Sequence, residues 1–348
     1  MSLEQIERMF ENFAEHFRLF DTPIKARFAW HGGEPLLVPP EFYREMRKIQ
    51  QKVFTDEHVQ VANTVQTNMT VLDDERLDLL LNTFDGVGVS LDLYSGLRVN
   101  KLNVCQENRA IENLDHAISK GLSAQGITVL TASTIDKTAE IYKFWRDRRM
   151  SFRVLPIEKG MYEAGQGFEV NATDTCKAMC DYADHWFQDD EPVNIEPIHR
   201  HIQMLMHSTQ GKEFGVRKYD KSKWHNVLLV DTDGTLYGYN DRFDTTRSPG
   251  NIFTESLSDM FRKDIHLKVV EEVQNRMNAS CFDCDYWGKS CTGFPIGEGE
   301  LNFSDLRPDG ATDCVVTKGL IGHLTARLKQ AGVLDQNSGL HTEAFLGA

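Results

Sequence analysis

Four cysteines, Cys281, Cys284, Cys291 and Cys314, crowd near the C-terminus, while Cys105, Cys176 and Cys180 lie far upstream. Their spacing, C-x2-C-x6-C-x22-C, gives one tight pair and two single thiols. Four thiolates hold either Zn2+ tetrahedrally or a 4Fe–4S cluster, and the spacing alone fits both. A metal also explains how a long polar loop becomes ordered. "MSLEQIERMF" lacks the apolar core of a signal peptide, and no apolar run approaches the roughly 20 residues of a spanning helix. The chain therefore reads as cytoplasmic, where clustered cysteines favour metal over disulfides.

A second constellation lies in "FAWHGGEPLLVPPEFYREM". Two glycines, Gly32 and Gly33, and a carboxylate, Glu34, follow a strand-like run. A plain connection needs one glycine at most, so two imply that something approaches the backbone closely.

The elements that must position these residues alternate. Leu3, Ile6, Phe10, Phe13, Phe17 and Phe20 recur at helical spacing, with Ser2 and Gln5 as a capping box. "KARFAW", "HVQVANTVQTN", "GVGVSLD", "QGITVLT" and "SFRVLPI" read as strands, each followed by a helix: 39–54, "DDERLDLLLNTF", 107–120, 136–148 and 173–187. Such a series implies a parallel sheet with helices outside, and a ligand site at the C-terminal ends of the strands. Those ends carry HGGEP, QTN (Gln66 to Asn68), SLD (Ser90 to Asp92) and Thr131. From about residue 190 the pattern changes. A helical connector (195–207) leads to a hairpin around Asp233-Gly234, two short helices (257–261, 265–277), the cysteine loop and a last helix (315–331).

HGGEPLL after a strand, QTN ending the next, VSLD ending the third, and a cysteine loop after a DGTLY hairpin resemble radical S-adenosylmethionine enzymes with a SPASM domain. That group includes anaerobic sulfatase-maturating enzymes and peptide maturases. The resemblance spans roughly residues 1–330. It implies an α/β fold: a partial (β/α)6 TIM-like barrel, lacking its first strand, with a C-terminal SPASM-type metal-binding domain. It divides the chain into a barrel (1–190), a helical connector (191–225), a reduced SPASM domain (226–334) and a tail (335–348). It places S-adenosylmethionine against Gly32, Gly33 and Glu34, with Asn68, Ser90 and Asp92 lining its ribose and carboxylate side. The implied activity is reductive cleavage to a 5′-deoxyadenosyl radical that takes hydrogen from a side chain of a peptide or protein substrate.

The sequence also departs from that family. The triplet C-x3-C-x2-C, which holds the catalytic 4Fe–4S cluster, does not occur in the chain. Met1 falls where the family's first helix begins. The expectation is an N-terminally truncated form, because a missing strand would leave an unpaired edge; a natural relative without radical chemistry is the alternative. Of the two auxiliary SPASM clusters, the ligands of one are gone together. Gly234-x4 leads to Tyr239, the next residue is Asn240 where sulfatase-maturating relatives carry an Asp base, and Pro295 stands at a further cysteine position. Cys281, Cys284, Cys291 and Cys314 survive as the other set, and the resemblance favours iron–sulfur over zinc there. No catalytic base is assigned. Rival readings are a non-catalytic scaffold that binds a peptide or partner, and a zinc-stabilised barrel protein.

The remaining candidates read as structural. Cys176 and Cys180 are expected to be buried helix-face thiols, Cys105 structural, and His199 and His201 surface or connector residues. "DTDG" reads as a turn, because Arg242 stands where a calcium loop needs Glu. With 38 basic against 52 acidic residues the net charge is −14, so no overall attraction to nucleic acid or anionic membrane is expected.

Overall fold

The computed structural model describes residues 1–157, 167–209, 218–222, 227–238, 244–297 and 313–334. Six strands, β1 (Ile24–Trp30), β2 (Val59–Thr67), β3 (Gly86–Ser90), β4 (Ala124–Leu130), β5 (Phe152–Pro156) and β6 (Ile195–Glu196), form one sheet in sequence order. They run parallel as a half-barrel, with Ile24 opposite Val59 and Trp30 opposite Val65 at the β1 edge. Helices α1 (Leu3–Phe17), α2 (Pro40–Val53), α3 (Asp74–Asn82), α4 (Glu107–Ser119), α5 (Thr138–Asp147), α6 (Ala172–Gln188) and α7 (Ile198–Thr209) precede, link and follow these strands. Parallel strands need such crossovers, which is why five strand–helix units were legible. The sixth strand was not. Residues 195–207 were expected to be helical, yet the helix begins only at Ile198. Pro197 offers no N–H and pushes Glu196 out of the helical region, leaving Ile195–Glu196 extended beside β5.

The remaining elements are β7 (Leu228–Val230), β8 (Thr235–Gly238), β9 (Gly250–Asn251), α8 (Leu257–Met260), α9 (Asp264–Cys281), α10 (Phe294–Gly297) and α11 (Val315–Gln330). The anticipated hairpin is β7–β8, and β9 adds a third antiparallel strand. Two residues are too few for a period-2 signal, so β9 escaped the sequence.

The described chain forms two compact units. The first comprises Met1–Asp92, Gly96–Ile127 and His225–Val269. Ser2 caps α1 as expected, exchanging bonds with Gln5. Phe10 is fully buried, edge-on to Phe28 at 4.9 Å and Phe54 at 5.6 Å. One polar residue on α1 joins it to the hairpin region. Asn12 Nδ2 donates to the carbonyls of Ile252 (2.9 Å) and Glu255 (2.5 Å), and its Oδ1 accepts from the Leu257 N–H (2.8 Å).

The second unit comprises Leu93–Ser95, Thr128–Trp224 and Val270–Ala348. Trp145 is fully buried, donates to Thr128 Oγ1 at 2.8 Å and stacks on Phe152. Helices α6 and α11 lie side by side. Asp184 of α6 accepts two bonds from Arg327 (2.7 and 2.6 Å) and one from His323 (2.6 Å) of α11.

Candidate functional site

Gly32 and Gly33 take left-handed conformations, φ +88° and +51°. A Cβ at either would meet nothing within 4 Å, so space lies open in front of this turn. Glu34 follows, half-buried, at the head of a short 3-10 turn (Pro35–Leu37). Its Oε1 accepts from the Leu36 N–H (3.0 Å) and the Thr67 hydroxyl (2.7 Å), and its Oε2 from the Asn68 N–H (2.8 Å). One carboxylate thus ties the end of β1 to the end of β2. Tyr43 supports the turn from below by donating to the Pro35 carbonyl at 3.1 Å. Burial, with the Glu34 carboxylate adding to it, pushes its phenol up to about 12, so it stays a donor. Arg76 Nε donates to the Leu36 carbonyl from the far side.

The other expected contacts sit beside this turn, already partly engaged. Asn68 Oδ1 accepts from the Thr70 amide and hydroxyl (2.9 and 2.6 Å). Ser90 Oγ bonds the Gln66 side-chain amide at 2.7 Å. That amide lies over Gly88, where a Cβ would come within 1.9 Å of Gln66 Oε1, which explains the glycine in "GVGVS". Asp92 is ion-paired to Arg98 at 2.6 Å. Arg98 Nε is buried without a hydrogen-bond partner among the described residues. The sequence reading missed three residues here: Thr67, Tyr43 and Arg98. Thr67 stood inside the quoted QTN. Nothing in the spacing marks the other two.

The four C-terminal cysteines converge. All line one shared pocket, together with Trp287, Pro295, Ile296, Lys318 and Ile321. Cys281 ends α9 and Cys314 caps α11, whose first turn favours a thiolate at that position. Cys284 and Cys291 come from consecutive tight turns, with Cys284 N–H donating to the Cys281 carbonyl and Gly293 N–H to Cys291 Sγ (3.3 Å). Burial pushes Cys281 and Cys291 up to about 12, with the nearby Cys314 and Cys284 thiols adding to both, and burial raises Cys314 as well. All described cysteines are free thiols. No three His, Cys, Asp or Glu side chains among the described residues close on a geometry for a single ion. A tetrahedral zinc would hold its sulfurs about 3.8 Å apart, given Zn–S bonds of about 2.3 Å. A cubane cluster instead takes each thiolate on a different iron and spreads them around its corners. Tyr239 and Asn240 lie outside the described residues.

Of the two readings of His201, surface or connector, the structure overturns the first: it lies on the connector helix α7 but faces inward. It is buried, its ring nitrogen 3.4 Å from the Ser290 carbonyl, and desolvation lowers its imidazole to about 4. The unfolded chain, with an ordinary value of about 6.5, binds this proton first. Stability from neutral His201 is therefore complete above about pH 6.5 and is lost as pH falls toward 4. Going from pH 7 to 5 is expected to cost up to about 2 kcal/mol through this group. Urea midpoints at both pH values check this, the gap shrinking in His201→Gln.

With this geometry in hand, residues 1–144 match the family model described as the Radical SAM superfamily. This part of the chain is a radical SAM domain. The chain is 20% identical over 301 residues to a serine-type anaerobic sulfatase-maturating enzyme of Bacteroides thetaiotaomicron, covering 80% of this chain and 71% of the relative. It is 22% identical over 277 residues to a cysteine-type enzyme of Clostridium perfringens, covering 76% and 72%. Its fold is similar to the structure of anSMEcpe with bound AdoMet and Cp18Cys peptide, with TM-score 0.72, 18% identity and coverage of 94% and 90%. It is also similar in fold to Streptococcus suis SuiB, with TM-score 0.60, 14% identity, and coverage of 90% and 71%. No helix among the described residues is long and apolar enough to cross a membrane.

Proposed function

We propose that this radical SAM chain binds S-adenosylmethionine at the ends of β1, β2 and β3, and is built to modify a side chain of a peptide or protein. The observation that carries the reading is the Glu34 carboxylate, held by Thr67, Asn68 and Leu36 beside two left-handed glycines that face open space. The turn would take the ammonium end of the cofactor, Asn68 and Ser90 its polar side, and Asp92 with Arg98 its hydroxyls or carboxylate. In this family the cofactor, once reduced, supplies a carbon radical that removes hydrogen from the substrate. The peptide-bearing neighbours and sulfatase-maturating relatives support a peptide or protein as the substrate.

The four cysteines would hold a single auxiliary 4Fe–4S cluster of a reduced SPASM domain, spread as they are around a shared pocket. The chain contains no C-x3-C-x2-C triplet, the ligand set for the cluster that reduces the cofactor. The expected result is about four irons per chain after anaerobic reconstitution, measurable binding of S-adenosylmethionine by equilibrium dialysis, and no 5′-deoxyadenosine with dithionite. Release of 5′-deoxyadenosine by this purified chain would overturn the inactive reading. Failure to bind the cofactor would overturn the site.

A further inference from the structure

Cys176 and Cys180 belong to neither site. They lie one turn apart on α6, where positions i and i+4 share a face. Both are only half-buried, not enclosed as expected from the sequence. The facing helix makes room for Cys176: a Cβ at Gly319 of α11 would come within 2.3 Å of its Sγ. One turn further along α11 stands His323, bonded to Asp184, which is one turn beyond Cys180 on α6.

The Cys180 thiol beside it holds Cys176 below the usual thiol range, while Cys176 and burial push Cys180 above it. Residues four apart on a helix have Cβ atoms about 5–6 Å apart. A disulfide needs about 3.5–4.5 Å, so closing one would distort α6. A cation between the sulfurs spans the longer gap, and paired thiolates select soft metals such as Cu(I).

We infer that Cys176, seated over Gly319, and Cys180, one turn along the same face, form a chelating dithiol site for one soft, thiophilic cation of the Cu(I) type. Binding exchanges two S–H protons for two sulfur–metal bonds with no change in oxidation state. The two sulfurs alone would ligate the ion, the two-coordinate arrangement soft monovalent metals accept, while His323 stays bonded to Asp184.

The test is anaerobic titration of the full chain, its four-cysteine loop already reconstituted with iron, using Cu(I) buffered by a competing chelator. The wild type is expected to take one more Cu(I) than Cys176→Ser or Cys180→Ser. Gly319→Ala keeps both thiols but crowds Cys176, and should bind that copper at least tenfold more weakly while titrating the same number of free thiols. Equal copper uptake by wild type and both serine variants, or loss of copper only when the iron loop is stripped, would overturn the site. Neither serine variant touches the cofactor turn, so iron content and S-adenosylmethionine binding should stay at wild-type levels.

Discussion

Cys291→Ala is expected to lose the visible iron–sulfur absorbance and to lower bound iron from about four per chain at least tenfold. Cys291 sits in the tight turns between the two helix-borne cysteines, and its sulfur already accepts the Gly293 N–H. Amide donors of this kind orient a thiolate and stabilise the charge it carries on a cluster. Around it Tyr219, Val273, Met277, Ile296, Trp287 and Phe294 pack against the buried sulfurs of Cys281 and Cys314. The apolar shell makes empty thiolates costly, as the raised thiols show. Metal binding would then also be folding free energy for this region, of the order of 10 kcal/mol in small structural metal sites. The variant should melt with the same midpoint whether or not iron was supplied, while the wild type gains sharply from iron. A colourless wild type holding one metal ion per chain would replace the cluster with zinc. Unchanged iron in Cys291→Ala would remove the site altogether.

Glu34→Gln should weaken S-adenosylmethionine binding roughly ten- to a hundredfold, the range for losing a bond to a charged group. The same substitution has a structural cost that must be separated from it. An amide can keep the acceptor for Leu36 and Thr67, but turns an N–H2 toward the Asn68 N–H that now donates to Oε2. Two donors facing each other there cost about 1–3 kcal/mol of stability. Thr67→Val is the control, because it removes a donor to Glu34 while leaving the negative charge in place. If the carboxylate serves the cofactor, Thr67→Val loses stability but binds within a few-fold of wild type. If both variants lose binding equally, Glu34 is only a clamp between strand ends.

The alternation of strands and helices was legible because each crossover carries its own period and its own glycine or polar punctuation. The GGEP turn was legible for a related reason: two adjacent glycines need a backbone explanation, and both proved left-handed. The roles of Thr67, Tyr43 and Arg98 were not, since each acts across a distance in sequence that no local pattern encodes. Asn12 shows the same limit. In the sequence it is a polar position on an amphipathic helix, and its three bonds reach residues 240 or more positions away. For His201 the surface alternative failed, because alternate histidines on a helix look solvated until a neighbouring loop covers one of them.

Asn12 has a consequence for how the chain is made. The first unit cannot close until the segment ending at Val269 has emerged, although its other parts end at Ile127. At about 5–20 residues per second, the ribosome needs roughly 7–30 s to deliver those intervening residues. During that wait the nascent N-terminal half carries a helix whose partners do not yet exist, which gives chaperones a defined window on this polypeptide.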